Sequence, residues 1–328
     1  MTPIFLNLCY YYKVRQKYRI QKMRSLMSKK IIAIIAGALA AVTAVAVTIV
    51  ALNRKADTYR LLKMFEFEGT GIVSREGKGD ITPYTNMVLE SGDKISLNTG
   101  ILTIQADDDK FIHLDENTTI QLVASGTSVN SKTAIEIIEG GITSDIRNKL
   151  SADSTYEINT PNSAMSVRGT VFYTYTYEIN GVKYTRTCCF EGEVTSRLVY
   201  KDGTESEEIV SVPKGKEVII YEDGTTTDYL YSEPQDIDYN TLPDEVLLQL
   251  RDMIDKEDKE LSITSPEITR ILEGPYYVTF VYDGTEFGTQ IVQKGELAEV
   301  PFLNPSTTGG WNFNFDEPIK RDTTIEWN

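Results

Sequence analysis

The chain has 328 residues, 41% hydrophobic and 25% charged, a composition that excludes a disordered or fibrous polymer and leaves room for two ordinary domains and a short segment besides. The net charge of −15 is unevenly spread: the first 30 residues hold eight bases (Lys13, Arg15, Lys17, Arg19, Lys22, Arg24, Lys29, Lys30) and no acid, which leaves 25 bases against 48 acids beyond them, a balance of −23. Such a surplus of acids excludes a phosphate-reading surface, so no nucleic-acid partner is expected.

The predicted elements begin with that basic segment, residues 1–30. Ile31 to Leu52 follows as 22 uncharged residues, about 33 Å as a helix at about 1.5 Å per residue, which matches a bilayer core. The run exceeds the apolar stretch of a cleavable signal peptide. The expectation is therefore an uncleaved transmembrane helix, although Ala44-Val45-Ala46 would serve as a cleavage site. The bases before the span place the N-terminus in the cytoplasm and the rest outside, in a single-pass arrangement. Met23 and Met27 are alternative starts, and Lys29 and Lys30 preserve the same orientation from either. Of the three cysteines, Cys9 precedes the span and Cys188 and Cys189 are adjacent, pointing to opposite faces of a strand, so no disulfide framework is implied.

Residues 56–232 read as short strands divided by turns. Ile95 to Leu97, Leu102 to Ile104, Phe111 to Leu114 and Thr119 to Leu122 are β-prone runs, with Asp107-Asp108-Asp109-Lys110 as a solvated turn between two of them. Asn180-Gly181, Asp202-Gly203 and Asp223-Gly224 are hairpin turn pairs. Tyr173, Tyr175 and Tyr177 alternate with other residues and share one strand face. Asp145–Leu150 is the one place where a short helical turn is expected.

The segment Thr160-Pro161 through Ala164 to Val167-Arg168-Gly169-Thr170 and Phe172 has the pattern TP-x-x-A-x-x-VRGT-x-F, and Phe190-Glu191-Gly192-Glu193-Val194 follows it. Upstream, Leu89 to Ile95, Leu114 to Ile120 and Ile138 to Ile142 supply further short strands in the matching order. Over roughly residues 65–200 the chain resembles a FecR domain. The resemblance implies a β-roll or solenoid-like module on a single-pass membrane protein. It singles out Thr160, Pro161, Val167, Arg168, Gly169, Thr170, Phe172, Glu191 and Gly192 as a core motif, structural or recognition in role. The bottom-up reading favours structure: glycines for turns and close approach, Pro161 to end a strand, and Arg168 to tie loops by several hydrogen bonds.

Residues 241–274 read as a helical linker. Thr241-Leu242-Pro243-Asp244 looks like a capping box opening a helix with Val246, Leu247, Leu250, Met253 and Ile254 as its apolar stripe. Ser265-Pro266-Glu267 opens a second helix and Gly274 closes it. Residues 276–328, with Tyr277, Thr279 and Val281 alternating and an Asp283-Gly284 turn, resemble the Listeria–Bacteroides repeat, which implies a small β-grasp-like surface module with Trp311 and Trp327 in a mini-core.

The fold class expected is mainly β. With one histidine, His113, and no nucleophile elbow, phosphate loop or zinc-protease spacing, catalysis is not expected, nor is a cofactor or a metal. The Asp107–Asp109 run lacks calcium-loop spacing. The function expected first is an envelope binding, scaffold or adhesion module, with an unknown protein or glycan partner outside the cell. The alternative is a transmembrane sensor relaying an outside signal, as FecR-like proteins do to a cytoplasmic sigma factor. A cytoplasmic segment of 30 residues is too short for an independent domain, so such a relay would use a partner helix or a short peptide.

Overall fold

The structure, a computed structural model, describes residues 60–127, 130–167, 169–222 and 228–328. The basic segment, the apolar span 31–52, Arg168 and the Asp223-Gly224 turn lie outside the described residues. Among the described residues, no helix is long and apolar enough to cross a membrane.

The chain is mainly β, as its alternation predicts. The core is built by β3 (Lys94–Ala106), β4 (Lys110–Leu114), β5 (Thr118–Gly126) and β6 (Ser131–Ile146). The first half of β3 pairs with β5 and its second half with β4, while β6 pairs with β5 and then with β4. The ladder therefore returns on itself and forms a small barrel, which leaves these strands no free edge. Closure needs sharp bends in the long strands, and glycine supplies them. Gly140 in β6 has φ +84, and a Cβ there would sit 2.7 Å from Thr118 Cα. Gly69 of β1 (Leu62–Arg75) lies opposite Gly100 of β3, and a Cβ on either would meet a facing carbonyl oxygen at 2.0 Å.

The remaining strands extend this barrel. β1 runs along β3 and turns back through β2 (Gly79–Ile81). β7 (Thr155–Thr160) lies parallel to β6 and leads through β8 (Ser163–Val167) and β11 (Glu193–Leu198) to β12 (Val210–Pro213). β9 (Val171–Ile179) pairs with the bent half of β6 and joins β10 (Val182–Glu191) through Asn180-Gly181, both at positive φ as the turn requires. β13 (Lys216–Glu222), β14 (Tyr229–Tyr231) and β15 (Gln235–Asp236) complete the sheet beyond β10. At Asp202-Gly203 only the glycine has positive φ. The helical turn expected at Asp145–Leu150 is absent: Asp145 and Ile146 end β6 because both pair with β4, and a loop follows.

Period-two alternation divides two hydrophobic cores. Phe172 and Cys189 point into the barrel, while Val171, Tyr173, Cys188 and Phe190 point out to a second core roofed by helices. The roof is α1 (Asp244–Glu257) and α2 (Ser265–Glu273). Val246, Leu247, Leu250 and Met253 of α1 are buried against the sheet, as the stripe predicts. The start of α1 differs from expectation. Pro243 is its N-cap and makes no side-chain bond, whereas the Thr241 hydroxyl bonds the Asp238 carbonyl inside a preceding 3₁₀ turn. α2 carries the true capping box, with Thr264 and Glu267 bonding reciprocally.

The C-terminal residues form a three-stranded sheet: β16 (Tyr276–Tyr282) is flanked by antiparallel β17 (Thr285–Val292) and parallel β18 (Thr323–Glu326). Tyr276, Val278, Phe280, Val292, Ile319 and Ile325 are its core, and Trp311 packs edge-on to Trp327 with ring centres 5.1 Å apart. Arg270 of α2 grips Asp322 with two bonds of 3.1 and 3.0 Å, and Arg321 bonds the Ile271 carbonyl and Asp244. The helices thus pack on the barrel sheet and also tie the C-terminal sheet to it.

Candidate functional site

The core-motif residues lie at the two ends of β8: Thr160 and Pro161 lead into it, and Gly169 and Thr170 meet Gly192 and Glu193 beyond its far end. Val167 and Phe172 are buried in the core. Thr160 bonds Asn162, which in turn accepts from Thr185 at 2.5 Å. The Thr170 hydroxyl donates to the Glu193 carbonyl, and the Thr170 carbonyl accepts from Ile146 N–H. Gly169 and Gly192 have φ of +68 and +75, and a Cβ on Gly192 would stand 2.7 Å from the Gly169 carbonyl. Pro161 is exposed in the β7–β8 turn, and Glu191 ends β10, half-buried. These contacts join strand ends to one another. Arg168 lies outside the described residues.

The chemistry-bearing side chains lie elsewhere, on the sheet face beneath the helices. In-register pairing sets Thr103, His113, Thr143, Tyr173, Cys188 and Glu217 in a row from β3 to β13. Residues directly opposite in a ladder share a face, so all six point toward the helical layer. The His113 ring pairs with the Thr103 hydroxyl at 2.9 Å through Nδ1. Burial pushes its pKa down to about 4, with Asp145 opposing the shift and Arg147 adding to it, so the ring is neutral near pH 7. Just past the end of β4, Asp115 is 5% exposed and accepts the Tyr173 hydroxyl at 2.7 Å through Oδ2, while its Oδ1 has no partner. Burial raises the Asp115 pKa to about 7; the Tyr173 hydrogen bond opposes this and the Glu245 charge on α1 adds to it. Cys188 is held as the thiol, pushed up chiefly by burial, and so is Tyr173. Tyr173 also begins a ladder of stacked rings through Tyr175, Tyr177 and Tyr184, with centres 6.3, 5.3 and 5.1 Å apart.

Between this face and α1 opens a cleft of about 580 Å³. Its apolar lining is Phe65, Ile101, Phe111, Leu248 and Met253, and its polar lining includes Glu66, Thr103, His113, Arg147, Glu245, Gln249, Asp252 and Lys256. An open cleft of this size with an apolar wall and several polar groups can admit a small ligand. One end is braced: Arg147 stacks 4.0 Å over Phe111 and bonds Asp145 and Glu257, and Lys259 reaches the fully buried Asp145 at 2.6 Å. Among the described residues, no group of three His, Cys, Asp or Glu side chains is placed to hold a metal.

Asp107 departs from the solvated turn expected of it. It is 5% exposed and takes a two-pronged contact from Arg60 at 3.2 and 2.6 Å, with Lys110 at 3.3 Å. Both cations already compensate its charge, so the turn is an internal clasp. Nor did the sequence single out Asp115, since its carboxylate neighbour Glu245 is 130 residues away in the chain. The one local signal was alternation: Phe111 to Leu114 reads as a strand, which sends His113 and the following Asp115 to the same side.

Residues 93–195 match the family model described as FecR protein, a span running from the start of β3 into β11. That span is therefore similar to a FecR domain, and the helices and the C-terminal sheet lie beyond it. The chain is similar to two crystal structures of a candidate anti-sigma factor from Parabacteroides distasonis ATCC 8503, at 1.65 and 2.50 Å resolution. The first has 12% identity and a TM-score of 0.35, covering 72% of this chain and 98% of that one. The second has 12% identity and a TM-score of 0.32, covering 71% and 97%. No curated protein matches the sequence.

Proposed function

We propose that this chain is a single-pass, membrane-anchored regulator whose β unit lies outside the cytoplasmic membrane, reads a signal there by binding, and relays it inward. The observation that carries this reading is the FecR match over residues 93–195, because that span includes the sheet face flooring the cleft. The state of the titratable groups supports binding over catalysis: His113 is neutral but hydrogen-bonded in place, and the Cys188 thiol is far from its reactive form. The apolar run 31–52 and its basic flank support the anchor and its orientation. The test is transcript profiling of cells that lack the chain and of cells in which residues 1–28 are replaced by a neutral sequence that keeps Lys29 and Lys30. A regulator changes the same small set of transcripts in both. If neither strain changes while the envelope is altered in the first, the relay is wrong.

A second reading, an envelope scaffold or adhesion module, is favoured by one feature. The C-terminal sheet and its following loop expose Ile291 (64%), Val300 (57%), Phe302 (99%) and Leu303 (67%). Exposed apolar side chains gathered on one small module mark contact surfaces. Under this reading that module, which resembles a Listeria–Bacteroides repeat, engages a protein or glycan of the envelope.

A further inference from the structure

Paired charges run without a break from one end of the cleft to the first described residue of the chain. At the cleft, Arg147 and Glu257 both line the wall and bond each other at 2.7 Å. Arg147 also bonds the fully buried Asp145, whose second oxygen takes Lys259 at 2.6 Å. The Arg147 amide donates to the Asp109 carbonyl at 2.9 Å, which fastens this group to the turn between β3 and β4. Within that turn Lys110 bonds Asp109 at 2.6 Å and Asp107 at 3.3 Å. Asp107 in turn takes both prongs of Arg60, and its amide donates to the Leu61 carbonyl at 2.6 Å.

The first residues of a domain are ordinarily loose unless tied down. Arg60 is tied to three segments of the barrel at once. Besides Asp107 in the β3–β4 turn, its side chain bonds the Ser125 carbonyl of β5 and the Lys132 carbonyl and Thr133 hydroxyl of β6, and it is 3% exposed. It stands eight residues after the apolar run 31–52, so a displacement within the β unit reaches that run through it.

Two acids on this path are shared, Asp145 by Arg147 and Lys259 and Asp107 by Arg60 and Lys110. A buried charge left unpaired is costly, so losing one contact redistributes the others rather than ending there. The half-open members are Arg147 and Glu257, at 38% and 34%, while Asp145, Lys110, Asp107 and Arg60 are buried. Anything that enters this end of the cleft therefore meets Arg147 and Glu257 first.

We propose that this path is the first leg of the relay: occupation of the cleft at Arg147 and Glu257 is transmitted through the β3–β4 turn to Arg60. It rests on the reading of the chain as a regulator and names how the cleft is coupled to the exit toward the apolar run. Arg147, Asp109 and Arg60 act in it as positioning residues. Coupling carried by a shared network is reciprocal, so a change at either end appears at the other.

Hydrogen exchange of the full chain in detergent, read by mass spectrometry, tests both directions. Glu257→Gln, at a half-exposed helix position, should speed exchange in the peptide 105–111, which holds the Asp107 amide, by about fivefold. Lys256→Gln is the control, because Lys256 lines the same cleft but bonds Asp252 of its own helix, and it should leave that peptide unchanged. In reverse, Arg60→Lys keeps the charge and gives up the fork. It should speed exchange in the peptide 144–150, which holds the Arg147 amide, by about the same factor while the circular dichroism stays that of the native chain. Native exchange at 105–111 in Glu257→Gln, an equal rise in Lys256→Gln, or an Arg147 amide indifferent to Arg60→Lys would each overturn the path. If the transcript response to deletion of the chain persists through such a failure, the regulator reading stands and the signal leaves the cleft by another route.

Discussion

Replacing Asp115 with Asn should change how stability depends on pH, because Asp115 and His113 oppose each other in the native chain. The Asp115 pKa rises from 3.8 to about 7 on folding. Its folded form holds a proton that its unfolded form has released, so the stability it contributes is complete below about pH 4 and is lost as pH rises through about 7. About three pH units at about 1.4 kcal/mol each make this about 4 kcal/mol. His113 moves the other way, from 6.5 to about 4. Its contribution is complete above about pH 6.5 and is lost as pH falls through about 4, up to about 3 kcal/mol, trimmed because the residue keeps some solvent exposure. Between about pH 4 and pH 6.5 the two slopes nearly cancel in the native chain. Asn keeps an oxygen for the Tyr173 hydroxyl and removes the titration, so Asp115→Asn should gain stability over the native chain steadily with pH, by about 4 kcal/mol between pH 4 and pH 7. Urea denaturation of both chains across that range measures the difference, in which all other titrating groups drop out. The level of the two curves is immaterial, since a buried amide carries its own constant cost. Parallel curves would refute the burial of an ionisable Asp115.

Arg60→Ala leaves Asp107 buried with Lys110 as its remaining cation and should cost about 3 kcal/mol; adding Asp107→Asn should restore part of that loss, as a double-mutant denaturation series would show. Gly140→Ala forces an alanine into φ +84 with its methyl 2.7 Å from Thr118 Cα, so it should destabilise by about 3 kcal/mol or more, read as a lowered thermal midpoint. Cys188 and Cys189 are fully buried and burial raises both thiols, so neither should be alkylated near pH 8 in the native chain and both should be in denaturant, by mass spectrometry of the labelled peptides.

Much of the fold is legible in local pattern. Alternation fixes which side of a strand each residue takes, and it correctly separates Cys188 from Cys189 and aligns Tyr173, Tyr175 and Tyr177. Turn chemistry identifies Asn180-Gly181, and the apolar stripe of α1 identifies the face it buries. Pairing between distant strands has no such local mark. The barrel closes because β3 and β6 each bend and change partners midway, and Gly100 and Gly140 show the bends only once the facing strand is known. Asp107 reads as a solvated turn because its partner, Arg60, lies 47 residues earlier. The cap of α1 is misjudged because Pro243 and a 3₁₀ turn displace the role from Thr241. The cleft is hidden for the same reason as the barrel: its floor comes from β3 and β4 and its roof from α1, more than a hundred residues later. The FecR-type motif is visible as sequence and its residues lie at the ends of β8, while the groups that face the cleft belong to no motif.

The most direct test of the regulator reading is photocrosslinking in intact cells, with the reactive residue placed at Leu248 on the cleft rim or, as a control, at exposed Ile209 beside a different cavity. A protein that works by binding through this cleft gives a reproducible adduct from position 248 that is absent from position 209, and a signal-dependent change in its yield. Identical adducts from both positions, or none from either, would contradict the claim that this cleft is where the chain reads its surroundings.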